Sequence, residues 1–157
     1  AHIVGASMGG MIAQTIASEY PERTKSLVSI MSTTGAKHLP KMTNETEGNF
    51  RNFGDGNFGE INVEQMRSYG FYPESMPRQF TAILHAGDRS EQVKNINVKT
   101  LVQHGANDPL LPPDHGRHTA ELIEGSKLVI YEGMGHNLPP EVLPTVISDM
   151  LDFFGET

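Results

Sequence analysis

Residues 2–11 read H-I-V-G-A-S-M-G-G-M, an apolar run that ends in a serine set among glycines. His2–Ala6 has the composition of a short strand. A helical pattern starts at once behind it, with Met8, Ile12, Ile16 and Tyr20 recurring at a spacing of four as one face. A strand that passes directly into a helix leaves almost no room at the turn. Gly5 and Gly9 are expected to supply that room, and Ser7 to sit strained at the tip with its hydroxyl pointing out of the sheet. The N–H of Met8, at the helix start, would then face the oxyanion formed on any carbonyl that Ser7 attacks.

The rest of the chain keeps this rhythm. Strands are predicted at Leu27–Met31, Thr100–His104 and Lys127–Tyr131. Tyr20-Pro21 stops the first helix, because proline cannot continue the hydrogen-bond ladder. A helix between the last two strands opens at Pro112-Pro113 and stops at Gly125. The final helix, about Glu141 to Phe154, carries Val142, Leu143, Val146, Ile147, Met150, Leu151 and Phe154 as an apolar stripe. Alternating strands and helices imply an α/β fold, a mostly parallel sheet with flanking helices and right-handed crossovers.

One stretch departs from the pattern. From Thr33 to about Val98 no clear strand is predicted, and Gly48-Asn49-Phe50 is echoed by Gly56-Asn57-Phe58. Phe50, Phe53, Phe58, Tyr69, Phe71, Tyr72 and Phe80 crowd into this region, suiting either a small core of its own or the lining of a pocket. From Met76 onward, Phe80, Ile83 and Leu84 share one face of an amphipathic helix. The stretch reads as a lid inserted between two strands. The division is thus 1–32 for the turn-bearing part of the core, 33–98 for the lid and 99–157 for the rest of the core.

Charge and composition remove several functions. The net charge is −7, from 12 basic against 19 acidic side chains, with no basic run, which argues against nucleic-acid binding. The absence of cysteine rules out disulfides, a thiolate nucleophile and cysteine-ligated zinc. No apolar stretch is long enough to span a membrane. With no basic-then-apolar leader the default compartment is cytoplasmic, although the chain starts without methionine and its native N-terminus is expected to lie further upstream.

A serine hydroxyl is a weak nucleophile and needs a base, itself oriented by a carboxylate. In a parallel sheet each should follow the C-terminal end of a strand. Asp108 follows the third strand in His104-Gly105-Ala106-Asn107-Asp108-Pro109, and His136 follows the fourth in Glu132-Gly133-Met134-Gly135-His136-Asn137. Plainer roles exist for both: Asp108 could close a turn before Pro109, and His136 could be an ordinary loop histidine. His115 and His118 lie three apart on a helix but lack a third ligand at suitable spacing, so no metal site is expected. His104 is expected to pack beneath the site, and His85 lies near the end of the lid helix.

The motifs G-A-S-M-G-G-M, Y-P-E-R followed by L-V-S-I, H-G-A-N-D-P-L-L-P and E-G-M-G-H-N-L-P-P-E resemble the second half of the α/β-hydrolase family. The stretch F-Y-P-E-S-M-P-R-Q-F-T-A-I-L-H-A-G-D-R is similar to the aclacinomycin methylesterase branch of that family. The resemblance implies Ser7 as nucleophile, His136 as general base and acid, Asp108 as orienting acid, and Met8 N–H as an oxyanion donor. It also implies hydrolysis of a small-molecule carboxylic ester through an acyl-enzyme, with no metal or organic cofactor. Phe80, Ile83 and Leu84 are expected to contact substrate. Relatives with the same three residues act as thioesterases, lyases or perhydrolases, and a non-catalytic interaction module is the reading from another class. The family sheet has eight strands, of which this chain supplies the last four. The expected partner is therefore the N-terminal half of the fold, or a second copy pairing through the exposed strand at residues 2–6.

Overall fold

The computed structural model describes residues 1–48, 63–68, 70 and 72–156, without the side chains of residues 63, 65, 66 and 73. The described elements run β1 (His2–Ala6), α1 (Met8–Glu19), β2 (Ser26–Ile30), α2 (Val63–Ser68), α3 (Met76–Ala86), α4 (Ser90–Lys94), β3 (Thr100–Gly105), α5 (Asp114–Leu122), β4 (Lys127–Tyr131) and α6 (Leu143–Gly155). The four strands form one sheet in the order β1-β2-β3-β4. Every neighbouring pair is parallel, from His2 against Ser26 to Gly105 against Tyr131. All C-terminal strand ends therefore share one edge of the sheet.

Helices cover both faces. On one side Ala13 and Ala17 of α1, Val93, Ile96 and Ile123 pack on Leu27. On the other, Val146 and Phe153 of α6 pack with Val28, Ile30, Leu101 and Tyr131. The central strands β2 and β3 are buried along their whole length, as expected for parallel strands covered twice. Most of their buried polar groups are paired, Gln103 Oε1 and His104 Nδ1 being without a hydrogen-bond partner among the described residues. Ser29 Oγ accepts from Gln14 Nε2 at 3.0 Å, and Gln103 Nε2 donates to Tyr131 Oη at 2.6 Å and to Val146 O at 3.0 Å. Such pairing removes most of the cost of burying polar groups in a core.

Some predicted faces need correction. The face of α1 carrying Met8, Ile12, Ile16 and Tyr20 is only partly covered: Ile12 is 52% exposed and Tyr20 53%, and Met8 and Ile16 are half-buried. The sheet is met instead by Ala13 and Ala17, with Gln14 bonded to Ser29, because small side chains let a helix lie close to a strand. In α6 the stripe is wider than the surface covering it. Val146 is buried, Ile147 and Leu151 are exposed, and Phe153, outside the stripe, is buried. The strand predicted at Leu27–Met31 runs Ser26–Ile30, and Met31 leaves it with a φ of 39°.

The described part of the excursion between β2 and β3 contains helices and no strand. Phe50, Phe53, Phe58, Tyr69 and Phe71, with most of the repeated tripeptide, lie outside the described residues. The ends of the excursion meet at Arg89. Its N–H donates to Thr34 O at 2.8 Å, and its guanidinium donates to Met11 O, Gln14 Oε1 and Thr33 O.

Candidate active site

Ser7 stands between β1 and α1 with φ 53° and ψ −121°, a conformation that non-glycine residues adopt only when their surroundings hold them there. The surroundings do so. Ser7 N–H donates to Ile30 O at 2.9 Å, and Ser7 O accepts from Gly10 N–H at 2.9 Å and Met11 N–H at 3.2 Å. The same carbonyl accepts from Ser32 Oγ at 2.9 Å. A Cβ on Gly5 would collide with the backbone of Gly9, and one on Gly10 would stand 2.6 Å from Ser32 Cβ. Gly9 has nothing near its own Cβ position. The tight pair is thus Gly5 and Gly10, a correction to the expected Gly5 and Gly9.

Asp108 is fixed by the loop behind β3. Its Oδ1 accepts from the N–H groups of Leu110 and Leu111, each at 2.9 Å, which is the turn-closing role. Its Oδ2 accepts from His136 Nδ1 at 2.7 Å, so one carboxylate holds both the turn and the imidazole. His104 Nε2 donates to Leu111 O at 2.8 Å and lies 3.5 Å from Asp108 Oδ2. Burial alone would raise the Asp108 pKa. Hydrogen bonds from His104, His136 and Leu111 N–H outweigh it and hold the carboxyl well below the usual carboxylate range.

His136 sits on the loop behind β4, and two loops must nearly touch for it to reach Asp108. Gly105 permits this, since a Cβ there would run into the carbonyl of Met134, while Asn107 N–H donates to Met134 O at 3.1 Å. A carboxylate can only accept, so Nδ1 of His136 carries the hydrogen and Nε2 presents its lone pair. Nε2 lies 2.8 Å from Ser7 Oγ. A proton can therefore pass from the serine hydroxyl to the imidazole, with a buried carboxylate behind to hold the ring.

These groups open onto a cavity of about 370 Å³ lined by Ser7, Met8 and His136 on one side and by Phe80, Ile83 and Leu84 of α3 on another. Every candidate side chain reaches this cavity except Asp108, which is buried behind His136. As the first helical residue, Met8 has an N–H with no carbonyl four residues back in α1 to bond. Ser32, Arg89 and Gly105 were missed from sequence, because each acts through a neighbour distant in the chain. His115 bonds Thr33 Oγ1 at 2.7 Å and Pro40 O at 2.8 Å. Among the described residues no group of three or more His, Asp or Glu side chains could hold a metal ion.

Comparison with known proteins agrees with this architecture. A family model described as alpha/beta hydrolase fold matches residues 1–61, and one described as TAP-like protein matches residues 83–154. The chain is 30% identical over 166 residues to a 2-hydroxy-6-oxo-6-phenylhexa-2,4-dienoate hydrolase of Burkholderia cepacia, covering 87% of this chain and 56% of that protein. It is 26% identical over 188 residues to the rhodomycin D methylesterase DnrP of Streptomyces peucetius, covering 88% of this chain and 61% of that one. The chain thus spans little more than half the length of these relatives. Among solved structures, a meta-cleavage product hydrolase from Pseudomonas fluorescens IP01 superposes with a TM-score of 0.68 at 22% identity, over 99% of this chain and 65% of the other. Sheet order, strand-end loops and these matches together give the chain the α/β-hydrolase fold.

Proposed function

We propose that the chain carries the reacting groups of a serine hydrolase acting on a carboxylic ester. The observation that carries this reading is the continuous hydrogen-bonded line from Asp108 through His136 to Ser7, at 2.7 and 2.8 Å, ending in an apolar cavity. Ser7 Oγ gives its proton to His136 Nε2 and attacks the ester carbonyl carbon. The resulting oxyanion faces the Met8 N–H, whose donation strengthens as charge develops. His136 then passes the proton to the departing alkoxide oxygen, leaving an acyl group on Ser7. A water molecule, losing its proton to the same nitrogen, attacks the acyl carbon; the bond to Ser7 Oγ breaks, His136 returns the proton to that oxygen, and the acid is released. Asp108 keeps the Nδ1–H aimed and stabilises the imidazolium formed in both halves of the cycle.

The test is steady-state turnover of a p-nitrophenyl ester series by the full-length protein, its Ser7→Ala variant and its Asp108→Asn variant. Ser7→Ala is expected to lower kcat by at least about 10³-fold with the fold intact. Asp108→Asn is expected to lower it by roughly 10²–10⁴-fold, since the imidazole loses its orienting acceptor. Ser7→Ala turnover within tenfold of the parent would reject the assignment.

A further inference from the structure

Two apolar cavities lie side by side and share part of their walls. The cavity at Ser7 and His136 has a neighbour of about 280 Å³ between α1 and α3, and both are lined by Met8, Met11 and Ile83. The neighbour continues along α1 past the exposed Ile12 and the half-buried Ile16. On its opposite wall α3 presents Ala82 and Ala86, which are too small to fill the space. Ile83 is the α3 residue common to both cavities. Methionines 8, 11, 42 and 76 line the first cavity, and an unbranched thioether adapts its shape to a flexible apolar guest.

We propose that Ile83 is the end wall of the acyl site and sets the length of unbranched acyl chain that is accepted, the neighbouring cavity being the space a longer chain enters when that wall is shortened. This rests on the ester-hydrolase reading above. A β-branched side chain has few rotamers and makes a firm stop. Met8 and Met11, the other residues lining both cavities, are flexible, so replacing Ile83 by alanine is expected to join the two cavities along α1. Each methylene of a longer chain that then leaves water should raise kcat/KM about fourfold.

The experiment compares the parent, Ile83→Ala and Ile83→Phe in the full-length protein on p-nitrophenyl esters from acetate to decanoate. Ile83→Ala should raise the ratio of kcat/KM for decanoate over butyrate by at least about tenfold, and Ile83→Phe should lower it. In parallel, binding of 2-alkanones of increasing length is measured by calorimetry on the Ser7→Ala background, where no turnover is needed. The affinity optimum should move to longer chains with Ile83→Ala. Unchanged length profiles in both variants, or equal losses at every length, overturn the end-wall assignment while ester turnover stands. Absent ester turnover with a shifted alkanone optimum would reject the ester reading and keep the wall.

Discussion

A methyl group on Gly5 would collide with the Gly9 backbone, whereas one on Gly9 would meet nothing. The two glycines flanking Ser7 should therefore respond in opposite ways. Gly5→Ala is expected to lower stability by about 1–3 kcal/mol, the usual cost of overpacking. Gly9→Ala should leave it unchanged or raise it by up to about 1 kcal/mol, since alanine is the better helix residue. Urea denaturation midpoints decide between these outcomes. The glycine–x–serine–x–glycine pattern made both look alike, because it does not say that the chain folds back so that the Gly9 and Gly10 backbone crowds Gly5 while Gly9 itself faces open space. His115 gives a second test. Burial lowers its pKa, against the opposing effect of its bond to Pro40 O, with His104, Asp108 and Asp114 also acting on it. An unfolded chain takes up this proton first as pH falls below about 6.5. Stability from neutral His115 is therefore full above that pH and lost as pH falls toward the lowered folded value. Thermal melting should shift downward from pH 7 to pH 5, and His115→Gln should flatten that slope; an unaltered slope would contradict it.

The spacing of four in residues 8–20 was enough to find α1 but singled out a face that is only partly covered. Hydrophobic periodicity reports an apolar stripe without saying which surface claims it. Here the sheet takes the small side chains of α1, and Met8, Ile12 and Ile16 are left to line a groove shared with α3. The same ambiguity made the α6 stripe too broad. Strands β1 and β4 were legible to the residue, because short β-branched runs bounded by turn residues have few alternatives. Arg89 had no sequence signal, yet it ties the returning end of the excursion to its outgoing end through Thr33 O and to α1 through Met11 O and Gln14 Oε1. Arg89→Met keeps much of the apolar stem but leaves these acceptors without their donor. It is expected to destabilise the protein by about 2–3 kcal/mol. Limited proteolysis should then cut first within residues 35–88. Unchanged cleavage kinetics and an unchanged denaturation midpoint would show that the tie is dispensable.

Taken as a whole, the sheet brings Ser7, Asp108 and His136, spread over 129 positions of the chain, to one edge. That convergence was readable in advance because parallel strands deliver all their C-terminal ends to the same side. The α3 part of the cavity wall, Phe80, Ile83 and Leu84, was readable from its helical spacing, whereas Met42, Leu110 and Leu111 were not, since their place depends on how the loops fold over that edge. Among the described residues β1 pairs with β2 alone, so its other edge offers backbone N–H and C=O groups to any incoming strand. These 157 residues expressed by themselves are therefore expected to self-associate. Val4→Lys, at an exposed position of β1, should reduce that association. Size-exclusion chromatography with light scattering checks this, and a monomer at high concentration without the substitution would contradict it. The most direct test of the whole account is intact-mass and peptide-level mass spectrometry of the full-length protein after reaction with a fluorophosphonate probe. A single adduct on Ser7, lost in Ser7→Ala and much slowed in His136→Ala, is the predicted result; an unlabelled Ser7 in the folded protein would contradict the account.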